Sequence, residues 1–328
     1  MYTIDARAQA ALSFLLSELT YVEQEVLRQP YPEIKYPSII PISTEAGPYV
    51  ESIAFKTLDF KGEPQLLGAK SGDIPLVELA AGKGSVTVHT YSLGYDWSLI
   101  EAGKAQELSR MSRSAAINYL AEKPQAVRQL TEQFLDKAFF IGDGRTADVK
   151  TGLLNDSTVP VTDTGSLLGG ASMTIDQIIA QSDKEKVAQD LVNLFSNAIL
   201  RVYITQTNTI FRPTHVLLPA LQYGKMLTTR IPNTSDTLIS YLEKVLSKQG
   251  NSVTFEPLIH LAGRGAGGAD RMMVYTRDPK YVKGHMPMPF GLQPPGTKDN
   301  ITFVSGGLVR IAGTELRIPK QHLYVDGV

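Results

Sequence analysis

The sequence predicts an α+β protein, and three features carry that expectation. Two strand patterns joined by a long glycine-punctuated tip fill 49–97. A capped helical repeat then runs to a stop at Gly142-Asp143-Gly144. Beyond about residue 174, helical and strand periods mix without strict alternation, which argues against a doubly wound parallel sheet.

In chain order, Asp5 is placed to cap a helix over 5–28. Leu12, Leu15, Leu19, Val22 and Val26 recur three and four residues apart and make one narrow stripe, the pattern of a docking face. Pro30, Pro32, Pro37 and Pro41 then punctuate 29–41. Proline fixes φ, removes a donor and biases its predecessor to extended backbone, so a non-helical strap is expected. A docking helix followed by such a strap reads as an arm that leaves its own domain.

Strands are expected over 49–60 and 85–91, from alternation such as Ile53, Phe55, Thr57 and Val86, Val88. Between them lie Gly62, Pro64, Gly68, Gly72, Pro75, Gly82 and Gly84. That describes a projecting hairpin. A two-stranded hairpin is marginally stable by itself, so support from another molecule or domain is expected.

Ser98 and Glu101 form a capping box, followed by Leu108, Met111, Ala115 and Tyr119 at helical spacing. Pro124 either kinks this helix or opens a second one, carried by Val127, Leu130, Phe134, Ala138 and Ile141. Further helices are expected over 174–181, 185–202, 220–228 and 236–248. Strands fit 215–218, 252–261, 271–276, 302–311 and 315–318. The stretch 286–295, with Pro287, Pro289, Pro294 and Pro295, reads as a second extended connector.

Composition narrows the function. The chain has 328 residues, 43% hydrophobic and 20% charged, enough apolar mass for about two domains. Cysteine is absent, which excludes disulfides, thiolate metal sites and cysteine nucleophiles. The N-terminus lacks the basic region of a signal peptide, and no apolar run is long enough to span a bilayer, so a soluble protein without a membrane partner is expected. Net charge is −1, divided as −6 over 1–212 and +5 over 213–328, with no run of adjacent basic residues to mark a polyanion site.

The strongest enzyme-like motif is Gly263-Arg264-Gly265-Ala266-Gly267-Gly268. Glycine-rich loops cradle phosphates where they join a strand to a helix N-terminus. Here the following residues read as a strand and no Gly-Lys-Ser/Thr ending is present, so a surface turn is expected and a nucleotide-binding enzyme is the remote alternative. His89, His215, His260, His285 and His322 lack metal-site spacing, and Asp143 with Asp148 does not match a calcium loop. No catalytic residue, cofactor or metal is expected.

The order of these elements resembles the Hong Kong 97-type major capsid protein of tailed bacteriophages, specifically its encapsulin-like phage branch. The matching residues are Tyr31-Pro32-Glu33-Ile34-Lys35-Tyr36, Phe140-Ile141-Gly142-Asp143, Gly152-Leu153-Leu154-Asn155, Asp270-Arg271-Met272-Met273-Val274-Tyr275, Ile318-Pro319 and Tyr324-Val325-Asp326-Gly327. The resemblance implies an N-terminal arm (1–41), an extended loop (48–96), a peripheral domain built on a long spine helix (97–160 with 297–319), and a mixed α/β axial domain (161–296 with 320–328). It implies pentamers and hexamers closing into an icosahedral shell around phage double-stranded DNA, which is held non-specifically. Scaffold, portal and decoration or cement proteins are the implied partners, and the virion, assembled in the host cytoplasm, the implied location. The same-fold rival is an encapsulin-type compartment enclosing cargo enzymes. Candidate subunit contacts are Tyr31, Tyr36, Ile53, Phe55, Phe60, Leu66, Leu67, Ile74, Leu76 and Arg264. Some members of the fold link a loop lysine to a neighbour's asparagine. Lys56, Lys61, Lys70 and Lys83 sit in a polar, glycine-rich setting where exposure keeps lysine charged and unreactive, so no such link is expected.

Overall fold

A computed structural model describes residues 31–63, 76–111, 119–144, 152–231 and 235–328. The expected helix over 5–28 lies outside them, as do Leu66, Leu67, Ile74, Lys70 and Asp148.

Along the chain, a one-turn helix α1 (Tyr36–Ile39) and strand β1 (Ile42–Ser43) precede the hairpin strands β2 (Ser52–Lys61) and β3 (Glu78–Thr87). β4 (His89–Ser98) leads into α2 (Leu99–Met111) and the long helix α3 (Tyr119–Ile141). The mixed region follows with β5 (Val161–Asp163), α4 (Thr164–Leu168), α5 (Ile175–Ile179), α6 (Lys184–Leu200), β6 (His215–Pro219), α7 (Ala220–Thr228), α8 (Leu238–Lys248) and β7 (Thr254–Leu258). The remainder is largely strand: β8 (Arg271–Tyr275), β9 (Val282–His285), β10 (Met288–Leu292), β11 (Gly296–Thr297), β12 (Thr302–Ile311), β13 (Gly313–Leu316) and β14 (Leu323–Asp326). No helix among the described residues is long and apolar enough to cross a membrane.

Two compact units result. The larger holds Ile34–Leu93, Leu130–Gly291 and Gly307–Val328. Its centre is a five-stranded mixed sheet in the order β5-β14-β8-β6-β7. Outer pairs β5/β14 and β6/β7 are parallel, while β8 runs antiparallel to both its neighbours. Because side chains alternate along a strand, Val216, Leu218, Met272, Val274, Leu323 and Val325 join one core with Leu191, Phe195 and Leu242 of the helices. Leu217, Met273, Tyr275 and Tyr324 join a second core on the other face with Leu135, Phe139, Leu153 and Leu154. Burial on both faces is why these strands read as unbroken apolar runs.

The end of α3 shows what the Gly-Leu-Leu-Asn motif does. A helix leaves its last carbonyls without partners. Leu153 N–H donates to Phe139 O at 3.0 Å and Leu154 N–H to Phe140 O at 2.9 Å. Asn155 Nδ2 reaches Ile141 O at 2.6 Å, and Thr314 Oγ1 also donates to Phe139 O at 2.7 Å. Gly142, at φ 86, turns the chain out of the helix. A Cβ on Gly152 would collide with the Phe140 backbone, so only glycine lets this cap approach.

The smaller unit contains Gly94–Gln129 and Leu292–Gly306. Trp97 stacks between Tyr95 and Phe303, with centroids 5.5 and 5.6 Å away. The Ser98/Glu101 box forms as expected, with both reciprocal hydrogen bonds present. Lys123 ties the end of β4 to the first turn of α2 by donating to Asp96 O at 2.7 Å and pairing with Glu101 at 3.5 Å.

Four expectations need correction. The strap is not free of helix: Pro37 lies in the first turn of α1, where a missing amide costs nothing. Nor does 34–43 leave its domain. Ile39 and Ile40 are fully buried, Tyr275 Oη donates to Ile39 O at 3.0 Å, and β1 pairs in parallel with β9. The second hairpin strand starts at Glu78, seven residues early, so Gly82 and Gly84 belong to β3. Thr57 and Phe55 lie directly across from them, and a Cβ on Gly84 would collide with the edge of the Phe55 ring. Finally, the supposed connector 286–295 carries the sheet strand β10. Of the two readings of Pro124, the one that opens a second helix falls away, because α3 begins before it and holds it inside.

Candidate assembly surfaces

Among the described residues of the larger unit, the outer half of the β2/β3 hairpin is a two-stranded ribbon without a second layer. Ten residue pairs join β2 to β3, from Ser52↔Thr87 at the base to Lys61↔Glu78 at the outer end. At the base Ile53 and Phe55 are half-buried, and the Arg317 guanidinium lies 5.6 Å from the Phe55 ring centroid. Arg317 is itself held by Glu315, which also takes a hydrogen bond from buried His285. Burial pushes the Glu315 carboxyl up, but His285 and Arg317 together outweigh it and hold it below its usual range. This buried ionic group fixes the root of the hairpin. Beyond it, Leu58, Phe60 and Leu79 are 61%, 70% and 64% exposed, with Leu76 and Val77 uncovered next to them. Large apolar side chains exposed side by side are what an interaction site presents.

Of the expected contact residues, Phe60 and Leu76 thus stand open on the hairpin, and Tyr31 is also exposed. Arg264 is exposed on the glycine turn. Tyr36 is corrected: it is 6% exposed, stacks on Phe139 at 5.1 Å, and donates its hydroxyl to Glu132 at 2.9 Å. The chain's own core uses it. Asp136 explains why, since its carboxylate accepts both the Lys35 and Tyr36 amides at 2.8 Å and bonds His260 Nε2 at 2.7 Å. Leu58, Val77 and Leu79 were missed. The alternation of Leu58 with Phe60 was readable, but placing β3 too late hid Leu79.

The glycine-rich loop is occupied by the chain itself. Gly263 N–H donates to Asp270 Oδ1 at 2.8 Å and Ala266 N–H to Asp326 Oδ2 at 2.9 Å. Gly265 N–H is taken by Ala269 O at 2.7 Å. Carboxylates therefore stand where a phosphate would need to sit, and β8, not a helix, follows. Neither the free amides nor the following helix of a phosphate cradle is present at this loop, so it lends the nucleotide-enzyme alternative no support. Among the described residues there is also no group of three or more histidines or carboxylates able to hold a metal.

Instead, three of the motifs that carried the family resemblance meet at one buried junction. Arg271 grips Asp326 with two hydrogen bonds of 2.7 and 3.0 Å, donates to Leu154 O at 2.8 Å, and lies over the Tyr324 ring at 4.5 Å. Tyr324 Oη donates to Leu153 O at 2.6 Å. Asp270 joins the Gln222 amide at 2.7 Å and accepts Gly327 N–H on its carbonyl. These residues lock the capped helix end to the sheet; their chemistry is architectural.

His322, two residues before Tyr324, is fully buried and neither ring nitrogen has a partner among the described residues. Burial pulls its pKa from 6.5 down to about 4. Below pH 6.5 the unfolded chain takes up a proton that the folded chain refuses, so stability falls with pH until about 4. Going from pH 7 to pH 4 should cost about 3 kcal/mol per subunit. Denaturant unfolding of dissociated subunits checks this. His322→Phe should lose that much less over the same range, and an equal pH slope in both proteins would refute it.

A sequence profile of the major capsid protein family matches residues 62–328. No curated protein matches the chain. Among solved structures, it is similar to the capsid of Myoviridae phage XM1, with a TM-score of 0.77 at 18% identity over 95% of this chain and 98% of that one. A structure from Mycobacterium phage Bobi gives 0.58 at 10% identity over 96% and 97%. The mature capsid asymmetric unit of bacteriophage PhiM1 gives 0.52 at 12% over 94% and 91%. The α+β fold expected from the sequence is thus a phage capsid fold, and with the profile match across most of its length the chain belongs to the major capsid protein family.

Proposed function

We propose that this major capsid protein assembles through pentamers and hexamers into the icosahedral shell of a tailed phage, enclosing double-stranded DNA. The observation that supports this best is the hairpin: ten paired residues per strand with an uncovered apolar outer half. Such a ribbon gains its second layer only from another subunit. Head-to-tail contacts of this kind close into rings when the rotation permits. In this reading 48–96 is the extended loop, 97–160 with 297–319 the peripheral domain, and 161–296 with 320–328 the axial domain. The arm is 1–41, but its tie to the core from Ile34 onward leaves only the residues before 34 to reach a neighbour. Scaffold, portal and cement proteins complete assembly in the host cytoplasm, and DNA contact is through phosphates without base readout. An encapsulin-type compartment has no comparable support.

Size-exclusion chromatography with negative-stain microscopy tests the reading. Purified protein, with scaffold where required, should elute near the void as closed shells; a compact monomer under all assembly conditions refutes it. The same shells, boiled in detergent, should run as one band near 35.8 kDa, because a lysine is a nucleophile only in a desolvated pocket that removes its charge, and no described residue builds such a pocket around Lys56, Lys61 or Lys83. A ladder of multiples would reveal covalent links.

A further inference from the structure

The register of the hairpin separates its two faces, and only one of them is complete. Residues directly opposite in an antiparallel pair share a face, and alternate pairs share the same one. The first face carries Ile53/Val86, Phe55/Gly84, Thr57/Gly82, Asp59/Ala80 and Lys61/Glu78. Its inner half is covered: Phe55 and Thr57 lie over the two glycines and Arg317 over Phe55, while the outermost pair sets opposite charges across from each other.

The second face carries Ser52/Thr87, Ala54/Ser85, Lys56/Lys83, Leu58/Ala81 and Phe60/Leu79. Its outer half is the exposed apolar strip. Immediately inward, two lysines sit directly opposite each other, and neither has a carboxylate partner among the described residues. Like charges directly opposite on a sheet destabilise it. A ribbon with no core of its own is a poor place to carry that cost, unless something outside the subunit supplies negative charge.

We propose that this second face is the docking face of the hairpin and that it lies on a second copy of the chain, with the Lys56/Lys83 pair meeting carboxylates beside an apolar strip. The inference rests on the shell reading above and deepens it by choosing the face and the chemistry of its acceptor. A second copy fits because every subunit carries the hairpin, so the acceptor must recur once per subunit. The chain also holds the needed charge: its first 212 residues carry six more acidic than basic side chains. Charge pairing of this kind fixes register and excludes wrong partners more than it adds affinity.

Amine acetylation followed by mass spectrometry, on assembled shells and on dissociated subunits, tests the choice of face. Lys56 and Lys83 should label at least tenfold more slowly in shells, and carbodiimide should join them to an Asp or Glu of a neighbouring copy. Lys56→Glu with Lys83→Glu should cut shell yield at least tenfold while the dissociated subunit melts as wild type. Lys61→Gln, on the first face, should assemble normally. Equal labelling in shells and subunits, or normal shells from the double glutamate variant, overturns the proposal while leaving the shell reading intact. Protection found only in DNA-filled shells overturns it in favour of phosphate as the counter-charge. Wild-type protein that forms no shells overturns both.

Discussion

Phe60→Asp combined with Leu79→Asp is expected to give a subunit that folds and melts like wild type yet forms no closed shells. Both side chains are largely exposed in the single subunit, where each replacement removes little buried area and leaves no enclosed cavity. They are directly opposite each other, so the double variant also places two carboxylates face to face at the outer end of the hairpin. On the proposed shell reading the same positions are covered by a neighbour. Losing the burial of a Phe or Leu side chain costs about 1.5–3 kcal/mol each, and burying an unpaired charge in its place costs several more. That penalty recurs at every copy of the contact, so assembly should fail altogether. Shells of normal yield and diameter by microscopy would mean that this strip never meets a neighbour. A lowered melting temperature of the dissociated subunit would instead assign the hairpin's outer half to the subunit's own core.

What the sequence revealed followed from local chemistry. The α7 and β12 bounds, 220–228 and 302–311, fell where expected because their apolar periods begin and end abruptly. The Ser98/Glu101 box and the Gly142-Asp143-Gly144 stop are backbone-satisfying devices, legible wherever they occur. Errors arose where a distant partner decides the outcome. Proline spacing described the strap's local stiffness correctly, but it could not announce that Asp136, a hundred residues away, collects the Lys35 and Tyr36 amides and pulls Tyr36 inward. Gly82 and Gly84 looked like loop residues because strand interiors disfavour glycine. Phe55 and Thr57 across the ribbon supply the missing bulk. β14 went unread because four residues, Leu323–Asp326, carry too short a period, although the sheet places them between β5 and β8.

The candidate contacts divided in the same way. Phe60 and Leu76 were visible as large apolar residues in a segment without a helix or a layer to bury them. The family motifs were visible as words but not as a site, since 152–155, 270–271 and 324–327 converge only in three dimensions.

Arg271→Met is expected to destabilise the subunit by about 3–5 kcal/mol, a large share of the 5–15 kcal/mol that typical domains possess. Arg271 and Asp326 are both nearly buried, and their two-pronged contact is short and nearly symmetric. Methionine fills most of the arginine stem's volume, so packing loss is small. What remains is a buried Asp326 carboxylate with only the Ala266 amide for company, a Leu154 carbonyl without its donor, and a Tyr324 ring without its cation. Removing the stranded charge should restore part of the loss. Arg271→Met with Asp326→Asn should therefore be less destabilised than the two single changes summed, with a coupling of about 1–3 kcal/mol in a double-mutant cycle. Because Arg271 also holds Leu154 beside the cap of α3, amide exchange at Leu153 and Leu154 should accelerate in the single variant even under conditions that keep the subunit folded. Unfolding midpoints of the dissociated subunits measure the first effect and hydrogen exchange the second. An Arg271→Met protein within about 1 kcal/mol of wild type, with unchanged exchange at those two amides, would show that the junction is not what ties the spine helix to the sheet.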